Sequence, residues 1–177
     1  MKTKISNIDK IVTWNPQTST IDEIKHHQIL IEDGKIIQIA KKVSGAEIEI
    51  DADNALITPG FIDSHTHPIF YGNRGKEFGM RVGGISYEEI GKNGGGIVSS
   101  LNGVRNTPED ELFEYCLNHC NLFLDYGTTT IEAKSGYGLT LKDELKSLRI
   151  IKKINEESPL DLIPTFMGAH DFPPEFK

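Results

Sequence analysis

The stretch Pro59-Gly60-Phe61-Ile62-Asp63-Ser64-His65-Thr66-His67-Pro68 decides how this chain is read. Phe61 to His67 has strand character, entered through a Pro-Gly break and stopped by Pro68. In a strand, residues two apart point to the same face. Their Cα atoms then lie about 6.6 Å apart, at roughly 3.3 Å rise per residue. Two imidazoles can converge across that gap on one ion, each nitrogen about 2.0–2.1 Å from zinc. Neutral imidazole suits zinc or iron(II). His65 and His67 are therefore candidate metal ligands. The blander reading is a pair of histidines filling a strand end, and the apolar entry and the Pro stop favour the metal.

On the N-terminal side, residues 1–58 read as short strands and turns, a small β domain. Gln28-Ile29-Leu30-Ile31 and Lys35-Ile36-Ile37-Gln38-Ile39 flank Glu32-Asp33-Gly34, a hairpin signal. Glu47-Ile48-Glu49-Ile50-Asp51 alternates at period two, which predicts a half-buried strand.

On the C-terminal side, Tyr71 to Asn106 is rich in glycine, with Gly83-Gly84 and Gly94-Gly95-Gly96 and a short helix from Ser86. So long a connection suits a binding loop or lid. A helix follows, with Thr107 as N-cap and Pro108 at its first position. Leu112, Phe113, Cys116, Cys120, Phe123 and Leu124 form its apolar stripe, and Gly127 stops it. Thr128 to Ala133 is a strand. A second helix runs from Leu141 to Glu156, capped by Thr140, with Leu145, Leu148, Ile151 and Ile154 on one face. Asp161 to Met167 is a third strand, interrupted by Pro164. Strand, helix, strand, helix, strand is the order of a parallel α/β domain over residues 59–177, either a barrel or an open sheet. Polar residues gather after each strand: His65 and His67, then Glu132, Lys134 and Tyr137, then His170 and Asp171. Both architectures place their sites at that end.

Composition narrows the class. With 37% hydrophobic and 25% charged residues the chain is an ordinary globular protein. A net charge of −7 argues against nucleic acid or an anionic membrane as partner. No stretch approaches the roughly 20 apolar residues of a membrane span. The first ten residues lack the apolar segment of a secretory signal. Cys116 and Cys120 read as two buried thiols in a reducing cytoplasm.

The decisive stretch resembles the first barrel strand of the amidohydrolase superfamily, whose His-x-His pair binds the catalytic metal inside a (β/α)₈ barrel. Further stretches resemble a narrower family, the imidazolonepropionases. They are Phe70-Tyr71-Gly72-Asn73-Arg74 with Glu77-Phe78, and Gly84-Ile85-Ser86-Tyr87 with Gly94-Gly95-Gly96-Ile97. They continue in Glu132-Ala133-Lys134-Ser135-Gly136-Tyr137-Gly138-Leu139 and Thr165-Phe166-Met167-Gly168-Ala169-His170. One departure is Asn102-Gly103-Val104-Arg105, where the family tends to be more basic. The resemblance implies a partial TIM-like (β/α)₈ barrel behind the small β domain. It implies one divalent metal, zinc or iron, and 4-imidazolone-5-propanoate as substrate, opened to N-formimidoyl-L-glutamate. It implies Arg74 as the partner of the substrate's carboxylate, Tyr137 as a hydrogen-bond donor, His170 as a substrate contact and Tyr87 as a further residue of the substrate loop. Read alone, Arg74 is a solvated loop charge, Tyr137 covers a turn and His170 is a satisfied histidine. Glu132 and Lys134 are read as a structural ion pair, and His119 as a packed core histidine. The family's other metal ligands and its acid/base come from later strands, so no catalytic residue is assigned here. A barrel takes about 250 residues, so the chain is expected to be truncated, inactive alone and prone to homo-oligomerise. The alternatives are another cyclic amide or amidine hydrolase or deaminase, or a catalytically silent assembly module.

Overall fold

The computed structural model describes residues 1–176. It divides into two compact units, Met1–Pro59 and Gly60–Lys177.

The first unit is built of strands. These are β1 (Lys2–Ser6), β2 (Lys10–Asn15), β3 (Thr20–Lys25), β4 (Gln28–Glu32), β5 (Lys35–Ala40), β6 (Ile48–Asp51) and β7 (Leu56–Ile57). One sheet has the order β5-β4-β1-β6 and the other β3-β2-β7. The β4–β5 hairpin turns at Asp33 and Gly34, with φ of 48° and 76°. The twist of a tight hairpin requires such left-handed values, which glycine adopts freely and aspartate tolerates. Ile8, Ile11 and Ile29 make a small core with Ile5, Ile24, Ile31 and Ile57 against it. The expected half-burial of β6 is not met: Ile48 and Ile50 are 41% and 50% exposed. β6 is the edge strand of its sheet, and its isoleucines find no covering layer.

In the second unit β8 (Phe61–Thr66), β9 (Thr128–Lys134) and β10 (Asp161–Thr165) form a parallel sheet in the order β10-β9-β8. Pro164 pairs in register with Ala133. Among the described residues β10 pairs with β9 alone. The stretch expected to be a long loop with a short helix from Ser86 carries α1 (Gly75–Val82), then that expected helix as α2 (Tyr87–Lys92), capped by Ser86, and then α3 (Ile97–Asn106). These helices are short, and α1 buries no residue, so no long apolar period marks them in the sequence. α4 (Glu109–Asp125) packs on β9, and α5 (Leu141–Glu157) on β10.

α4 has Pro108 in the capping position and no side-chain cap, not the Thr107 cap expected. Glu109, Asp110 and Glu111 in its first turn balance the helix dipole instead. α5 keeps its expected cap: the Thr140 hydroxyl accepts from the Asp143 N–H at 3.1 Å. Leu145, expected on its inner face, is 42% exposed. At 3.6 residues per turn, six residues of separation put it about 120° away from Ile151. The buried face carries Ile150, Ile151 and Ile154, which meet Leu112, Phe113, Cys116 and Cys120 of α4 over Ile131 and Leu162 of the sheet. Both cysteines are free and buried. On the opposite face Ile62 and Ile163 are 73% and 56% exposed. Among the described residues no helix is long and apolar enough to cross a membrane.

Candidate functional site

Three parallel strands bring their C-terminal ends side by side, so the residues just past them become neighbours. His67 follows β8, Tyr137 lies in the loop after β9, and His170 lies in the segment after β10. The three meet. The His67 ring stacks on Tyr137 with 4.7 Å between centroids and on His170 with 4.8 Å. His65 is exposed, and its ring centroid is 5.9 Å from that of His67.

His67 Nδ1 is buried and has no hydrogen-bond partner. Burial, and then the nearby His170, lower the pKa of the ring. A neutral imidazole with an unengaged nitrogen is the form that ligates a divalent metal. A 5.9 Å separation is within reach of two rings whose nitrogens each lie about 2 Å from one ion. The pair therefore fits a metal. No cluster of three or more His, Cys, Asp or Glu able to hold one occurs among the described residues.

Beside His67 opens a cavity of ≈ 410 Å³, lined by His67, Phe70, Tyr71, Asn73, Arg74, Ser99, Ser100 and Tyr137. It joins three of the residues singled out from sequence: His67, Arg74 and Tyr137. His170 lines a different cavity with residues 168–173, and Tyr87 lines neither. Arg74 ends the loop before α1. Its Nε and Nη2 converge on Glu77 Oε2, at 2.7 and 2.6 Å. The second Glu77 oxygen accepts from the Gly96 N–H at 3.1 Å. Arg74 holds the Glu77 carboxyl below its usual range, with the Gly96 N–H acting the same way. The Tyr87 hydroxyl stands beside the Arg74 guanidinium and helps hold it charged, after Glu77. Burial raises the Tyr137 phenol, so it remains a protonated donor at neutral pH.

Glu132 and Lys134 form the expected ion pair, at 2.6 Å, with the Thr165 hydroxyl donating to the same Glu132 oxygen at 2.9 Å. His119 is half-buried on α4, its ring 5.3 Å from Phe70 and 4.3 Å from Tyr115. Sequence reasoning assigned no role to Ser99 and Ser100, or to Glu77 as the partner of Arg74. The i, i+3 spacing of Arg74 and Glu77 was a usable signal. The two serines reach the cavity only through the position of α3.

No family model matches the chain. Curated relatives do. The imidazolonepropionase of Thermoanaerobacter pseudethanolicus is 42% identical over 98% of this chain and 44% of its own length. That of Clostridium tetani is 38% identical over 98% and 45%. That of Brevibacillus brevis is 52% identical over 72% and 30%. Among solved structures, a triazine hydrolase from Arthrobacter aurescens aligns with a TM-score of 0.60 and 16% identity, over 93% of this chain and 35% of that one. A prolidase complexed with N-methylphosphonate-L-proline aligns at 0.58 and 14%, over 94% and 32%. An atrazine chlorohydrolase complexed with zinc aligns at 0.57 and 16%, over 93% and 35%. At such identities the structures show a shared fold alone, a mixed α/β arrangement of the amidohydrolase kind. The chain spans less than half the length of the curated relatives it matches, and along the stretch it shares with them it is similar to imidazolonepropionases at 38–52% identity.

Proposed function

We propose that this chain is part of a hydrolase that opens the ring amide bond of 4-imidazolone-5-propanoate, giving N-formimidoyl-L-glutamate in histidine degradation. The observation that carries the reading is one cavity lined by an imidazole, a guanidinium and a phenol: His67, Arg74 and Tyr137. The substrate has a planar polar ring and a carboxylate tail, and these three groups match it. On this reading residues 59–177 supply the first strands of a (β/α)₈ barrel behind the β domain of residues 1–58.

A divalent metal, zinc or iron, held by His65 and His67 would supply activated water and polarise the ring carbonyl. The zinc in the related chlorohydrolase supports such a metal. Catalytic zinc takes about three protein ligands. The third, and the acid/base, belong on this reading to the part of the enzyme outside the stretch shared with the relatives. Arg74 turns its donors to the propanoate, because a guanidinium fork matches a carboxylate. Tyr87 steadies Arg74. Tyr137 donates a hydrogen bond to the ring, and His170, stacked on His67, is a further substrate contact. The partners are the small-molecule substrate and further copies of the chain, and the compartment is the cytoplasm, where buried thiols stay reduced.

The test is a hybrid that joins residues 1–177 to the unmatched part of the Thermoanaerobacter relative. Loaded with zinc or iron, it should convert 4-imidazolone-5-propanoate to N-formimidoyl-L-glutamate, and a chelator should stop it. A folded hybrid with stoichiometric metal and no conversion overturns the reading.

A further inference from the structure

Tyr137 sits in the loop of residues 135–139 between β9 and α5. The backbone of this loop is gripped from two sides by side chains of opposite charge. Glu144, in the first turn of α5, is only 1% exposed. Its carboxylate accepts from the N–H groups of Gly136 at 2.7 Å, Gly138 at 2.8 Å and Leu139 at 2.8 Å. From α3, Arg105 Nε donates to the Gly138 carbonyl at 2.7 Å. The Gly138 N–H and C=O are thus both taken by charged groups. The loop's start is fastened too: the Ser135 N–H donates to the Thr165 carbonyl at 3.0 Å, and the Ser135 hydroxyl accepts from the Met167 N–H at 2.9 Å. The fit on α5 is close. A Cβ at Gly138 would stand 2.7 Å from the Asp143 carbonyl carbon and 2.8 Å from the Glu144 nitrogen, which no side chain permits.

Helix capping does not explain Glu144, because Thr140 already caps α5. A buried carboxylate is costly unless its lone pairs are satisfied. Here three donors satisfy it, and all three are amides flanking Tyr137. We propose that Glu144 and Arg105 are positioning residues, whose work is to hold the Tyr137 ring against His67 at the cavity wall. The proposal rests on reading Tyr137 as a substrate contact, but the placement of the ring can be tested without substrate.

The experiment uses NMR on the full chain, comparing wild type with Glu144→Gln and Arg105→Met. In wild type, cross-peaks connect the Tyr137 and His67 rings. In both variants these should be lost, and amide exchange at Gly136, Gly138 and Leu139 should rise roughly tenfold or more. Cross-peaks within the Phe113, Ile150 and Leu162 core should persist. Intact ring cross-peaks with unchanged exchange in a folded variant overturn the proposal, since a merely structural Glu144 lowers the melting temperature and leaves the ring in place. If Glu144→Gln does not fold, Arg105→Met keeps the Glu144 carboxylate and decides by the same cross-peaks. A calorimetric arm uses imidazole-4-propanoate as probe. Glu144→Gln and Tyr137→Phe should each weaken binding roughly tenfold, and the double variant no further. Losses that add overturn the proposal. A wild-type chain that does not bind the probe counts against the substrate reading alone, and the cross-peaks still decide the positioning.

Discussion

Tyr137 stacks on His67 with 4.7 Å between ring centroids and 21° between ring planes, although 70 residues of sequence separate them. The contact couples a donor from the loop after β9 to a candidate ligand at the end of β8. Tyr137→Leu in the hybrid enzyme should therefore disturb both functions. It should weaken substrate binding and also shift the His67 ring resonances, whereas Tyr137→Phe should weaken binding and leave those resonances near their wild-type positions. Equal resonance shifts in the two variants would show that stacking does not hold His67.

His65 and His67 should both be required for metal. Elemental analysis of the hybrid enzyme should give about one metal ion per chain in wild type and far less in His65→Ala and in His67→Ala, because a catalytic site reduced below about three protein ligands holds zinc weakly. Undiminished metal in either variant would remove that histidine from the ligand set.

Arg74→Ala should weaken binding of a carboxylate ligand by about 1.5–3 kcal/mol, the worth of a hydrogen bond to a charged group, or roughly ten- to a hundred-fold. The variant also strips Glu77 of its partner. Arg74→Ala/Glu77→Gln is the proper comparison, and it should show the loss for imidazole-4-propanoate and little loss for 4-methylimidazole. Calorimetry with both ligands reads the difference.

The two thiols of α4 should make the fold sensitive to alkali. Burial pushes Cys116 up to about 11 and Cys120 to about 12, from an ordinary value of 9.0. The folded state thus holds these protons more tightly than the unfolded one, so the stability they contribute is complete below pH 9 and is lost as pH rises toward 11–12. Melting temperature should fall across that window, and fall less steeply in Cys116→Ala/Cys120→Ala. At pH 8 a thiol reagent should label the native chain far more slowly than the chain unfolded in urea.

Leu145→Ala should change stability by no more than about 0.5 kcal/mol, as for an ordinary surface position. Ile150→Ala, at 1% exposure, should cost about 2–5 kcal/mol. Urea unfolding of the two variants decides which face of α5 is buried.

The sequence makes the local features of this fold readable and leaves hidden those that depend on distant chain. The His65-Thr66-His67 strand end, the Asp33-Gly34 turn and the Thr140 cap each depend on a handful of consecutive residues, and each is seen in the structure. α1 escaped notice because it buries nothing. Leu145 was misplaced because an apolar residue marks a helix without fixing which face is inner. The role of Glu144 is hidden in the sequence, since its partners are backbone amides and amides carry no signature there. Ser99 and Ser100 come to the cavity through the packing of α3, which no local spacing encodes.

The Arg74–Glu77 pair has a consequence for how an anion approaches this cavity. The guanidinium already has a resident counter-charge, so its field is short-ranged and does little to draw anions from bulk solution. A carboxylate gains only on arrival, by taking up donors that Glu77 Oε2 leaves unsatisfied. Salt should therefore affect its rate of association weakly, and discrimination should come from the fit of the planar fork at contact rather than from attraction at a distance.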